Sequence, residues 1–177
     1  MKLVSQWLQQ RATGKNSVIL AIVSGLLFVP YLLSFKDQTS QGLLIDQTFN
    51  FNASDAQRIL ASYGAIGRAE YLRAEIVDFL FIPLLVLTIA LVVDYAFKRR
   101  SWSAKLSLIP LIAGFLNNLK VCLIIPLVLA YPHQPIMLIE TTNIVNILKI
   151  AAMAVSVILL LMAIITITIS GIKRRAA

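Results

Sequence analysis

The sequence predicts an all-α polytopic membrane protein: a four-transmembrane-helix bundle with an N-terminal interfacial helix and a short amphipathic helix in the outer loop. Two observations support this prediction. Of the 177 residues, 59% are apolar and only 14% are charged, whereas a soluble domain has about 25% charged residues. The apolar residues are also concentrated in four stretches, each long enough for a helix to cross a bilayer, which takes roughly 20 residues.

A single membrane domain accounts for the whole chain, because its length leaves room for only a few spans. Backbone polar groups cannot stay unpaired in hydrocarbon, so each apolar stretch is expected to be helical. We expect, in chain order, an interfacial helix at 1–14, a first span at 17–35, an outer loop at 36–73, a second span at 74–97, an inner loop at 98–105, a third span at 106–130, a fourth span at 136–172 and a cytoplasmic tail at 173–177.

The basic residues predict the orientation, because Lys and Arg near span ends are retained on the cytoplasmic side. Bases are concentrated before the first span, between the second and third spans, and after the fourth span: Lys2, Arg11, Lys15, Lys98, Arg99, Arg100, Lys105, Lys173, Arg174 and Arg175. The loop at 36–73 instead balances its bases with acids. We therefore expect both termini in the cytoplasm. The net charge of +8 is then a topology signal, and we expect no nucleic-acid partner.

The first apolar stretch is expected to be a retained span and not a cleaved signal peptide. Its end, Leu32-Leu33-Ser34-Phe35-Lys36, lacks the small-x-small pattern that cleavage requires. The preceding residues place Trp7 and other apolar side chains on one helical face, as in a helix that lies in the inner interface. The alternative is a docking helix for a partner.

The outer loop contains one recognisable helix signal. Asn52 or Ser54 can cap a helix over Asp55–Tyr63 that ends at Gly64, because a short polar side chain favours the first position and glycine the end. We expect this helix to lie on the outer surface as a lid over the bundle.

The cysteine and histidine content excludes several classes of function. The chain has one cysteine, Cys122, and one histidine, His133, so it has no intrachain disulfide, no thiol redox pair and no histidine pair for a haem. Phosphate-binding glycine loops and the common hydrolase motifs are also absent from the sequence. We therefore expect no metal and no other cofactor.

Polar residues in the last three spans are the candidates for a functional site, because a charge at the bilayer centre costs about 2.5 to 3.5 kcal/mol. If the turn between spans three and four centres on His133, residues whose numbers sum to about 266 lie at one level. Lys120 then faces the level of Asn146, and Asp78 reaches a comparable level from the second span. We expect one outward-opening polar cluster of Asp78, Asn117, Lys120, Glu140, Asn143, Asn146 and Lys149.

Three interpretations of this cluster are open. It is purely structural if two lysines neutralise Asp78 and Glu140 while asparagines join the helices. It is a ligand pocket if Lys120 holds an anion and an acid holds a cation or a proton. Ion conduction is disfavoured, because no filter sequence repeats along the chain. Prolines inside the spans either kink the helices and open a pocket or are ordinary membrane prolines.

A series of residues between positions 43 and 155 carries a resemblance: Gly67-Arg68-Ala69-Glu70-Tyr71, Asp78, Pro83, Ile109-Pro110, Asn117-Asn118, Tyr131-Pro132 and Leu148-Lys149. It resembles a family of uncharacterised bacterial four-span membrane proteins, in which the third span reads D-x-x-E-N. Here Gly114 replaces the aspartate and Asn117 the glutamate. The resemblance implies a bacterial cytoplasmic membrane and no particular activity. It adds these candidate positions: Arg68, Tyr71, Asp78, Asn118 and Lys149.

The first functional hypothesis is a binding or accessory membrane protein whose outer pocket receives a lipid-like ligand or a partner's helix. Its expected partners are membrane lipids, another membrane protein or a second copy in a homodimer. The second hypothesis is an enzyme on a lipid substrate, with Asp78 or Glu140 as general base and Lys120, Lys149 or Arg68 holding an anionic head group. A small transporter is the third, disfavoured because the chain has few spans and no internal repeat.

Overall fold

The computed structural model describes the backbone of residues 2–39, 45–98 and 103–176, and the side chains of 6–8, 10–26, 45, 47–98 and 105–170. All regular structure in these ranges is helical. The elements in chain order are α1 (Lys2–Arg11), α2 (Gly14–Thr39), a 3-10 turn (Ile45–Gln47), α3 (Ala53–Ser62), α4 (Gly64–Phe97), α5 (Ser103–Leu106), α6 (Leu108–Leu129) and α7 (Ile136–Ala176). We call the end of the bundle where α6 turns into α7 the hairpin end, and the opposite end the tail end.

Three described helices are long and apolar enough to cross a membrane: Gly64–Phe97, Leu108–Leu129 and Ile136–Ser170. Their outer surfaces carry exposed side chains such as Phe115, Ile158 and Leu161, which a soluble monomer rarely presents in continuous patches. The fold is therefore that of a helical membrane protein. The described apolar part of α2, Gly14–Leu26, is shorter than a span, and the side chains of 27–35 lie outside the described residues.

The central element is α4, which packs against α2, α6 and α7 and also contacts the short helices. The Ser24 hydroxyl of α2 lies 2.9 Å from the Thr88 hydroxyl of α4, so a hydrogen bond joins these helices. Gly114 of α6 packs so closely against Val86 of α4 that a Cβ atom would overlap the valine side chain. Small residues permit this close approach, which van der Waals packing between membrane helices requires.

At the tail end, α1 packs against the bundle. Leu8 and Ala12 are buried beside Ala90 and Leu91 of α4, while Trp7 is about half exposed. An amphipathic helix that buries one apolar face and exposes a tryptophan is suited to the membrane interface.

At the hairpin end, residues 45–63 form a compact segment that we call the cap. Its helix α3 begins after Asn52, whose side chain accepts a hydrogen bond from the Asp55 backbone N–H in a capping box. It ends before Gly64, which has a φ of 63°, a conformation that glycine adopts without steric cost. Because α4 begins at Gly64, residues 64–73 of the expected outer loop are helical and extend the second span.

The cap has a well-packed apolar underside. Buried cap residues join residues near the ends of α6 and α7 in one cluster: Ile45, Phe51, Ala56, Ile59, Leu60, Tyr63, Tyr71, Ile124, Leu127, Val128 and Ile139. Burying this surface provides the driving force that folds the cap onto the helix ends.

Candidate functional site

Three helices each contribute two buried polar side chains, three residues apart, to the hairpin-end half of the bundle. Residues with this spacing lie on one face of a helix. The six residues, which we call the buried polar cluster, are Glu75 and Asp78 of α4, Asn117 and Lys120 of α6, and Asn146 and Lys149 of α7. None is more than 8% exposed, and Lys120 and Asn146 are completely buried. So much polarity at such depth needs a specific reason, because buried polar groups are costly unless paired.

One ammonium group lies between two carboxylates. The Lys120 Nζ donates a hydrogen bond to Glu75 Oε2 at 2.7 Å, and it lies 3.8 Å from Asp78 Oδ2. The two acids are three residues apart and therefore share one face of α4. This face is turned to α6, because both acids approach Lys120. The short charge-assisted hydrogen bond to Glu75 is the stronger contact. The ion pair therefore fixes the register of α4 against α6.

The position of Lys149 of α7 follows from the contacts of Met153, which lies on the same face of the helix. Met153, one turn after Lys149, packs against Phe81, Ile82 and Val86 of α4. Since α4 and α7 run in the same direction, Lys149 lies near the level of Asp78. Two carboxylates and two ammonium groups then occupy one level of the bundle, and their formal charges sum to zero.

The cap is attached to the same face of α7 by side-chain amides. Asn146 Nδ2 donates to the Thr48 carbonyl at 2.9 Å. One turn nearer the hairpin end, Asn143 accepts from the Phe51 backbone N–H at 3.1 Å and donates to Asn50 Oδ1 at 2.7 Å. Because Asn146 belongs to the buried polar cluster, the cap is hydrogen-bonded directly to a cluster residue.

Two side-chain amide atoms in the cluster lack a hydrogen-bond partner within the described part of the chain: the donor Asn117 Nδ2 and the acceptor Asn146 Oδ1. Buried side-chain polar atoms are in the large majority paired, either with protein or with ordered water. These two atoms therefore provide one donor and one acceptor that a small polar group or water would satisfy.

Two candidate residues from the sequence belong to the cap region and not to the cluster. The Arg68 guanidinium lies 4.3 Å from the centre of the Tyr131 ring and donates to the Leu60 carbonyl at 3.0 Å. The buried Tyr71 ring lies 5.5 Å from the Tyr63 ring. The Tyr63 hydroxyl in turn accepts a hydrogen bond from the Ile45 backbone N–H at 3.0 Å. Both residues therefore stabilise the closed cap.

The remaining candidates, Asn118 and Glu140, are less buried than the cluster residues. Asn118 is partly buried beside Asn117, and its Oδ1 has no hydrogen-bond partner among the described residues. The Glu140 side chain is exposed and makes no ion pair with any described residue. The acids that the structure brings to Lys120 are Asp78, which the sequence predicts, and Glu75, which sequence reasoning missed. The signal for Glu75 was its three-residue spacing from Asp78.

The described side chains contain no group of three or more metal-ligating residues that could hold a metal ion. Fold and site together define a helical membrane protein with a charge-balanced polar cluster beneath a cap. Comparison with protein-family models, with curated proteins and with solved structures finds no match to this chain.

Proposed function

We propose that the protein is a four-span integral membrane protein of a bacterial cytoplasmic membrane that binds the polar head group of a membrane amphiphile in the buried polar cluster. The cap faces the outside, and both termini lie in the cytoplasm. The chain then acts as a binding or accessory protein. Its ligand is lipid-like, and the cap closes over the bound head group.

The proposed orientation is supported by the distribution of charge over the two ends. The exposed bases Arg11, Lys15, Lys98 and Lys105 lie at the tail end, where the positive-inside rule places the cytoplasm. The cap instead pairs a base with an acid, since Arg58 and Asp55 lie 2.9 Å apart.

The observation that carries the ligand proposal is the pair of unsatisfied amide atoms, Asn117 Nδ2 and Asn146 Oδ1, in the same cluster as a buried ion pair. A buried donor or acceptor without a partner costs about 1–3 kcal/mol. A purely structural cluster would gain stability from apolar residues at these positions. A head group that accepts from Asn117 and donates to Asn146 removes the cost and explains why amides occupy both sites.

The contacts of the two carboxylates favour a binding role over catalysis. A general base must be within hydrogen-bond reach of the proton that it removes. Here one ammonium group, Lys120, contacts both Glu75 and Asp78. These acids therefore serve as counter-ions that hold the helices in register around the amides.

The ligand is tested by native mass spectrometry of the full chain purified in mild detergent. We expect one lipid bound per chain, and loss of that lipid in Asn117→Leu, which removes the unsatisfied donor at similar volume. Thermal unfolding is measured on the same samples. If the wild-type chain carries no lipid and Asn117→Leu melts at a higher temperature, the cluster is structural and the proposal fails.

The orientation is tested separately by cysteine labelling in intact bacterial cells, on a Cys122→Ser background. A membrane-impermeant maleimide is expected to label Gln57→Cys in the cap. Lys105→Cys, exposed at the tail end, is the matched control and is expected to react only after the cells are lysed. The reverse pattern would show that the cap faces the cytoplasm.

A further inference from the structure

We infer that the buried polar cluster selects an electrically neutral head group, one that presents an uncharged hydroxyl or amide. This inference deepens the proposed function and depends on it. It identifies the chemical class of the ligand, which the presence of a site alone does not reveal.

The formal charges inside the buried polar cluster sum to zero. Glu75 and Asp78 provide two carboxylates, and Lys120 and Lys149 provide two ammonium groups, all of them buried. The hydrogen bond from Lys120 to Glu75 and the short distance to Asp78 compensate the charges within the protein itself. A ligand with a net charge would therefore leave one charge uncompensated at a buried position, which is strongly unfavourable.

Two amide groups of the cluster retain unused hydrogen-bonding capacity. Among the amides of the cluster, the unsatisfied donor is a neutral N–H of Asn117, and the unsatisfied acceptor is a neutral oxygen of Asn146. A hydroxyl group both donates and accepts, and so does an amide. A phosphate monoester or carboxylate offers only acceptors when ionised, so it would leave Asn146 Oδ1 unsatisfied. A quaternary ammonium group offers neither donor nor acceptor.

The cluster lies toward the hairpin end of the bundle. Asp78 lies 16 residues before Asp94 of α4, which corresponds to about 24 Å along a helix. Asp94 lies near the tail end, and a hydrocarbon core is about 30 Å thick. The cluster is therefore located just below the hairpin-end interface, at the depth where the glycerol and ester region of a lipid meets the hydrocarbon. An uncharged lipid hydroxyl reaches this depth without leaving the membrane.

The test is a competition experiment on the full chain in mild detergent, read out by native mass spectrometry. The protein is incubated with equal amounts of three lipids with identical acyl chains: diacylglycerol, anionic phosphatidylglycerol and a cationic trimethylammonium lipid. We expect the wild-type chain to retain diacylglycerol with a preference of about tenfold or more over each charged lipid. Equal retention of all three lipids, or a preference for a charged lipid, would overturn the inference.

Two variants change the charge of the cluster in opposite directions. Glu75→Gln makes it more positive, and we expect the preference to shift about tenfold toward phosphatidylglycerol. Lys149→Gln makes it more negative, and the preference is expected to shift toward the cationic lipid. Lys105→Gln removes an equal charge at the exposed tail end and is expected to leave the preference unchanged. If Glu75→Gln does not fold, Asp78→Asn provides the same change of charge.

The results distinguish the two proposals. A wild-type chain that retains none of the three lipids contradicts the proposed function itself. A chain that retains lipid but gives the same ratios in all variants contradicts only the selection by charge. Opposite shifts in the two variants, with the control unchanged, support both.

Discussion

The hairpin-end half of the bundle (the first half) and the tail-end half (the second half) are both built from α4, α6 and α7. Different contacts hold the helices together in each half. In the first half, an ion pair between Lys120 and Glu75 joins α6 to α4. In the second half, the buried side chains of α4 between residues 82 and 93 are apolar apart from Thr88, and Gly114 of α6 fits closely against Val86.

Helix packing alone therefore does not require the buried charges of the first half. Apolar contact between membrane helices gains little from leaving lipid, so close fit and hydrogen bonds supply the stability. Between residues 82 and 93 of α4, the close fit of Gly114 of α6 and the hydroxyl pair with Ser24 of α2 achieve this, and the buried acid of the second half, Asp94, lies beyond that stretch. The two acids and two lysines in the first half are therefore more than packing needs, and they occur where the cap closes the bundle.

The largest expected effect comes from breaking the first half. Lys120→Met keeps most of the side-chain volume but leaves Glu75 and Asp78 without their ammonium group. Removing one partner of a buried ion pair costs about 3–5 kcal/mol, so we expect a large drop in thermal stability in detergent, measured by tryptophan fluorescence. Lys105→Met, at an exposed position, is the control. A melting temperature equal to that of the control would contradict the importance of the pair.

An intermediate effect is expected from breaking the second half. Gly114→Val places side-chain atoms where Val86 lies, and overpacking of this kind costs about 1–3 kcal/mol. Because the clash is local, Val86→Ala in the same chain is expected to restore part of the lost stability. Thermal unfolding of the two single variants and the double variant measures this compensation. Strictly additive losses would show that the two residues are not in close contact.

The smallest effect is expected at the cap. Asn143→Ala removes the acceptor for the Phe51 backbone N–H and the donor to Asn50, and a hydrogen bond contributes about 1 kcal/mol. We expect little change in global stability but faster hydrogen exchange at Phe51, measured by mass spectrometry of peptides from the cap. The backbone amides of α6, which lie outside the cap, serve as internal controls and are expected to exchange at unchanged rates. Unchanged exchange at Phe51 would mean that other contacts hold the cap closed.

Part of this architecture is predictable from the sequence because hydropathy and hydrogen-bonding rules act locally. The apolar stretches predict the long helices, and Asn52 and Gly64 predict a short helix between them. The positions of Asp78 and Lys120 in apolar surroundings also predict that they lie together, and the structure places them 3.8 Å apart.

The remaining part depends on packing, which local patterns do not specify. Glu75 was missed because the expected second span began at residue 74, which placed this acid at a helix end in contact with water. The structure begins α4 at Gly64, so Glu75 lies three turns inside the helix. For Glu140, counting residues from the turn at His133 predicts its height along the bundle. It does not predict which side of α7 faces the other helices. Its neighbour Ile139 occupies the buried face instead.

The separation of the ion pair along the chain has a consequence for biosynthesis. Glu75 precedes Lys120 by 45 residues, and chains are synthesised at roughly 5–20 residues per second. The acids of α4 therefore reach the membrane several seconds before their ammonium group. During this interval Lys120 is not present to balance their charge. The ion pair between α4 and α6 therefore forms only after α6 has been synthesised.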